Sequence, residues 1–237
     1  HGLALAAEGA AIVDVGGEST RPGSEGVDEA EERRRVVDVV AGIRAASPVA
    51  ISIDTMKSGV AEAAITAGAT MVNDVTAGTH DPRILEVARD ADVDVCLMHM
   101  QGTPRTMQDD PRYDDVVREV GDHLRARVEA CVAAGIDPAR IAVDPGIGFG
   151  KTVEHNLALI AGVRALGDAT GCPVLIGVSR KRFLGALLED PDADRLVATI
   201  VAGGVAVAHG AWALRVHDVA AHRDALRVQL AVRRVHA

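Results

Sequence analysis

Ala64-Ile65-Thr66-Ala67-Gly68-Ala69-Thr70-Met71-Val72-Asn73-Asp74-Val75 holds the plan of the whole chain in twelve residues. An Ala-rich helical stretch reaches Gly68, the residue type that most readily ends a helix in the left-handed conformation. A short apolar run follows at once and closes on an amide and a carboxylate. Ala6-Ala7-Glu8-Gly9-Ala10-Ala11-Ile12-Val13-Asp14-Val15 repeats the pattern. Outward from these two units, the same reading predicts seven strands at 11–15, 49–53, 70–75, 93–98, 140–144, 173–178 and 212–217. Helices are expected near 28–46, 57–67, 81–91, 113–134, 154–169 and 191–210. A last helix is expected at 219–234, with Asp218 as its N-cap.

Strict alternation of strand and helix predicts a parallel sheet, either open and doubly wound or closed into a barrel. The polar residues gather after the strands, at seven successive carboxyl ends. That favours an α/β fold of the (β/α)8 TIM-barrel class, in which all those loops face one mouth. An open sheet would concentrate its site at a single switch point. Eight-fold closure needs one more strand, and the chain opens on a helix at 3–8. A first strand and its loop are therefore expected upstream of His1. No shift in composition marks a second unit, so 1–237 is read as one domain.

Composition narrows the function. The chain has 237 residues, a net charge of −9 and 48% apolar side chains, but only 2% aromatics. Ala, Val, Ile and Leu must build the core, which suits buried parallel strands under helices. An acidic balance argues against nucleic acid or an anionic membrane as partner. An anionic ligand would have to be held by a few placed cations. Cys96, Cys131 and Cys172 are an odd, widely spaced set without a CxxC, so a reduced cytoplasmic setting is expected.

The strand ends carry the chemistry. Gly16-Gly17-Glu18-Ser19-Thr20-Arg21-Pro22-Gly23 is a tight loop with one guanidinium, a group suited to phosphate or carboxylate. Asp54, Asn73 and Asp144 each close a strand. One such residue is ordinarily a helix cap; three around one mouth form a donor–acceptor set for an aminopyrimidine edge. Gly177-Val178-Ser179-Arg180-Lys181 ends another strand on a hydroxyl and cations. In Leu214-Arg215-Val216-His217, a period of two puts Arg215 and His217 on one face, reading as a diphosphate clamp beside Arg21 and Lys181. Gly148-Phe149-Gly150-Lys151-Thr152 imitates a phosphate loop, but Pro145 stands where the first glycine must be. His99 has no second ligand at metal spacing.

Taken together, DVGGESTRPG (14–23), SIDT (52–55), VNDV (72–75), LMHMQGTPRTMQ (97–108), DPGIGFGKT (144–152), GVSRKRF (177–183) and RVHDV (215–219) resemble the dihydropteroate synthases. The seven stretches are collinear with the family's and span nearly the whole chain. The resemblance implies condensation of 6-hydroxymethyl-7,8-dihydropterin diphosphate with p-aminobenzoate, giving 7,8-dihydropteroate and diphosphate. It implies a cytoplasmic homodimer, Mg²⁺ as cofactor and sulfonamides as inhibitors. Asp54, Asn73, Asp144, Phe149, Gly177 and Lys181 match the pterin pocket. Arg21, Arg215 and His217 match the diphosphate site, and Thr20, Arg21, Pro22 and Ser179 the p-aminobenzoate site. Asp54, Lys181, Arg215 and His217 are the implied catalytic set. The family's metal-contacting Asn belongs upstream of His1, so no metal ligand is expected within this chain. Two alternatives share a pterin-reading barrel: methyl transfer from methyltetrahydrofolate to a corrinoid, and a non-catalytic pterin-binding paralogue. The first has no use for a diphosphate clamp; the intact STRPG, SRK and RVH segments argue against decay to the second, which the strand expected upstream of His1 keeps open.

Overall fold

The computed structural model describes residues 1–21, 23–190 and 192–234. Its strands are β1 (Ile12–Gly16), β2 (Ala50–Asp54), β3 (Met71–Asp74), β4 (Asp94–Met98), β5 (Ile141–Asp144), β6 (Leu175–Ile176) and β7 (Ala213–Leu214). All pairs are parallel and follow chain order. β1 to β5 form one ladder and β6 with β7 another, joined by a bridge between Val143 and Val174. An order that never reverses has no switch point, which is the topology of a (β/α)8 barrel. Among the described residues β7 and β1 do not pair, and the ring is open between them.

The helices are α1 (Gly2–Glu8), α2 (Glu29–Ala46), α3 (Ser58–Thr66), α4 (Arg83–Asp90) and α5 (Val116–Ala133). After them come α6 (Val153–Ala161), α7 (Val163–Thr170), α8 (Arg182–Leu187), α9 (Leu196–Ala208) and α10 (Val219–Arg234). Short polar residues start several of them. Asp28 accepts from the Glu31 amide at 2.8 Å, Asp115 from Arg118 at 3.1 Å, and Thr152 from His155 at 3.2 Å. None of these helices is long and apolar enough to cross a membrane.

Four expectations need correction. The helix expected at 154–169 is two, because the chain turns at Gly162. A Cβ there would stand 2.9 Å from both methyls of Val117, so the close approach to α5 admits only glycine. The helix expected from 191 begins at Leu196. A separate α8 forms where only loop was read, burying Phe183 and Leu184. The strands expected at 173–178 and 212–217 shrink to two residues each. They pair Leu175 with Ala213 and Ile176 with Leu214.

The pleat explains where the site lies. Side chains alternate along each strand, so one set faces the helices and the other the barrel axis. Ile51, Ile53, Val72, Val95, Leu97, Ile141 and Val143 join the large core under the helices. Met71, Cys96 and Ala142, with Ile12 and Leu175 against them, form a smaller apolar plug inside the barrel. Two residues further along the strands from Ile12, Met71, Ala142 and Leu175 stand Asp14, Asn73, Asp144 and Gly177. The barrel is thus sealed below and polar above.

Candidate active site

Arg215 is the centre of that polar layer. It lies just past β7, where its amide still donates to the Ile176 carbonyl at 3.0 Å. Its Nε donates to Asp14 at 2.6 Å and its Nη2 to Asp54 at 2.7 Å, so one guanidinium ties β1 and β2 to β7 across the opening. The Asn73 amide also donates to Asp14, at 3.3 Å. Burial raises the Asp54 carboxyl to about 7, and the neighbouring Asp14 charge adds to it, while Arg215 acts in the opposite sense. The same two carboxylates hold the guanidinium firmly in its charged form.

Opposite this cluster, Lys181 stands 4.1 Å above the centre of the Phe149 ring, a cation–π distance. Burial and the nearby Arg215 lower its ammonium to about 8, against the pull of Asp144. Asp144 accepts from the Gly146 amide at 2.7 Å, and burial raises its pKa. Gly177 leaves open space here. A Cβ on it would lie 3.8 Å from Arg215 and 3.9 Å from Asp144.

The rim is built separately. His217 Nδ1 lies 2.8 Å from the Ser179 hydroxyl, which also accepts from the His217 amide at 3.2 Å. Burial and the charges of Arg180, Arg215 and Arg21 push the imidazole pKa down, so Arg21 reaches this side electrostatically although its side chain is exposed. Thr20 lines a small recess with Glu18, Glu32, Asp54, Thr55, Met56 and Val75. Pro22 lies outside the described residues.

Arg215 and His217, read as neighbours on one strand face, both lie just beyond β7: Arg215 turns to the carboxylates beside Gly177, and His217, two residues on, turns to Ser179, two residues on from that glycine. Arg180 is held by Asp218, with contacts of 2.6 and 3.1 Å, so Asp218 spends its carboxylate on an ion pair at the start of α10. Asp74 points away from the axis and folds its own turn, accepting from Thr76 and Gly78.

Sequence reading missed Asp14. Its signal was there: a carboxylate inside Ile12-Val13-Asp14-Val15, on the face opposite Val13, where a buried charge needs a partner. It also missed Lys57, which bridges Glu18 at the base of the first loop to Glu32 on α2, the latter at 2.5 Å. No spacing announces that triad, because its members come from three separate elements.

Known proteins match this chain in sequence and in fold. Residues 1–217 match the family described as "Pterin binding enzyme". The chain is 48% identical over 235 residues to the dihydropteroate synthase of Mycobacterium leprae, covering 96% of this chain and 82% of that protein. It superposes on a Xanthomonas albilineans dihydropteroate synthase solved with 4-aminobenzoic acid at a TM-score of 0.92. The sequences there are 46% identical over 98% of this chain and 83% of that one. A second structure of that enzyme, in complex with 7,8-dihydropteroate, gives a TM-score of 0.88 at 43% identity, with the same coverage. The likeness runs through sequence and overall shape alike, and the chain belongs to the pterin-binding enzymes, within them to the dihydropteroate synthases.

Proposed function

We propose that the chain condenses 6-hydroxymethyl-7,8-dihydropterin diphosphate with p-aminobenzoate, releasing 7,8-dihydropteroate and diphosphate. One observation carries this reading: a guanidinium held between Asp14 and Asp54, inside a ring completed by Asn73, Asp144 and Lys181. The carboxylates and the amide supply acceptors and a donor for the pterin edge, and Lys181 a donor for its carbonyl. Phe149 covers the ring face, and Gly177 leaves it room.

The bond that breaks joins the pterin methylene carbon to a diphosphate oxygen, which leaves with the electron pair. Positive charge then spreads into the pterin, where the Asp54 carboxylate opposes it. Arg215, Lys181, His217 and Arg21 meet the charge on the departing anion. The arylamine nitrogen attacks the methylene carbon and loses its proton, so no enzyme nucleophile is required. Thr20, Arg21, Pro22 and Ser179 are assigned to the p-aminobenzoate side. Fixed charges of this kind are each worth on the order of 10²–10³-fold in rate.

Mg²⁺ enters this reading as a companion of the diphosphate. Among the described residues no group of three His, Cys, Asp or Glu side chains is spaced to hold a metal ion. A homodimer is proposed through α9, whose Val197, Val201 and Val205 are exposed at successive turns. A reducing, cytoplasmic setting is supported by three free, buried thiols. Sulfonamides, as mimics of p-aminobenzoate, are proposed inhibitors.

The test is product stoichiometry. One dihydropteroate and one diphosphate should form per pterin diphosphate consumed, and neither without p-aminobenzoate. Diphosphate release that ignores the arylamine would make the chain a hydrolase and end the proposal.

A further inference from the structure

Lys151 follows the Gly-rich loop after β5 and is 3% exposed. Among the described residues no carboxylate forms an ion pair with it. Its ammonium meets the Phe149 carbonyl at 2.9 Å, Nδ1 of His99 at 3.0 Å and the His99 carbonyl at 3.5 Å. Three hydrogens find three acceptors, and the group is fully used. The arrangement is expensive, because a cation removed from water without a paired anion costs far more than an apolar side chain filling the same space. Burial accordingly lowers the ammonium to about 7, with Lys181 acting in the same sense and Asp144 against it. The groups around it are His99, His123, Lys181 and Asp144, with the Tyr113 ring behind His99.

What the ammonium joins gives the cost a purpose. The loops after β4 and β5 touch backbone to backbone. A Cβ on Gly146 would fall 1.9 Å from the His99 carbonyl oxygen, and one on Gly150 2.8 Å from that of Gln101. Lys151 ties these loops through the carbonyls of His99 and Phe149. The Phe149 ring is the surface on which Lys181 rests. We propose that Lys151 is a positioning residue for the pterin pocket: by holding the Phe149 and His99 carbonyls, it sets the ring wall against which the heterocycle packs. This rests on the function proposed above.

Fluorescence titration with 6-hydroxymethyl-7,8-dihydropterin tests it on the wild type, Lys151→Met, Phe149→Ala and the double variant. Lys151→Met should weaken pterin binding about tenfold, the scale of one charge-assisted hydrogen bond. The KM for p-aminobenzoate should stay within about twofold. In the Phe149→Ala background the same change should add less than about twofold, since the wall it sets is gone. Unchanged pterin affinity in Lys151→Met overturns the proposal, and so does a full tenfold loss repeated in the Phe149→Ala background. Should Lys151→Met not fold, Lys151→Gln, which keeps two donors for the carbonyls, should bind pterin nearly as well as the wild type; a tenfold loss there overturns the proposal. A wild-type chain that binds no pterin overturns the proposed function and this inference with it.

Discussion

Replacing Arg215 by Met keeps length and bulk while removing the guanidinium that Asp14 and Asp54 share at 2.6 and 2.7 Å. Two part-buried carboxylates then face each other without a cation, a state that is unfavourable if both remain charged. They need not remain so. The Asp54 carboxyl already titrates near 7, and Arg215 is the group that now pulls it down, so its loss moves that pKa further up. At neutral pH the pair takes up a proton, and the folded chain survives. Catalysis does not escape as cheaply. Without the guanidinium at the departing diphosphate, kcat should fall on the order of 10²–10³-fold. The acidic limb of kcat/KM should shift to higher pH, because the ionised Asp54 that steadies the pterin forms later. Binding of bare dihydropterin, which has no diphosphate to lose, should weaken by less than about tenfold. Steady-state diphosphate release across pH 6–9 and fluorescence binding measure the three quantities separately. Equal losses in binding and turnover, or an acidic limb that stays in place, would refute the role given to Arg215.

Three further outcomes are expected. Asp54→Asn should lower kcat on the order of 10²–10³-fold while making the fold more stable at pH 8 but not at pH 4. The folded carboxyl at about 7, against an ordinary value of 3.8, holds its proton more tightly than in the unfolded chain, so stability falls as pH rises through that window. Calorimetry at the two pH values reads this difference directly, as a higher Tm for the variant at pH 8 and no such rise at pH 4. Gly146→Ala should destabilise the fold by roughly 2 kcal/mol or more in urea unfolding, because the residue has a φ of +68° and its new methyl would meet the His99 carbonyl. Val201→Glu should shift the chain to a monomer in analytical ultracentrifugation, and a mass equal to wild type removes α9 from the interface.

How much of this was legible follows from where each residue's partners lie in the chain. The strand ends Asp54, Asn73 and Asp144 were readable because alternation of helix and strand fixes a mouth without knowledge of any contact. Phe149 and Gly177 were assigned by resemblance; their physical role emerged only when Lys181 was found over the ring and Arg215 beside the glycine. Arg215 was expected to serve an anion; that it also pairs with two carboxylates was not legible. The pairing with Asp14 spans 201 positions and leaves no local trace. The break at Gly162 was hidden likewise, since the Val117 methyls that forbid a side chain belong to another helix. Periodicity reports which face a residue takes; it does not report which distant residue shares that face.

Calorimetry of the wild-type chain with 6-hydroxymethyl-7,8-dihydropterin, with and without its diphosphate, is the most direct test of a heterocycle gripped at depth by acceptors while cations at the rim hold its leaving group. The diphosphate-bearing ligand should bind at least about tenfold more tightly, a gap that narrows with added salt because charges near the rim are screened. Equal affinities for the two ligands, unaffected by salt, would contradict it.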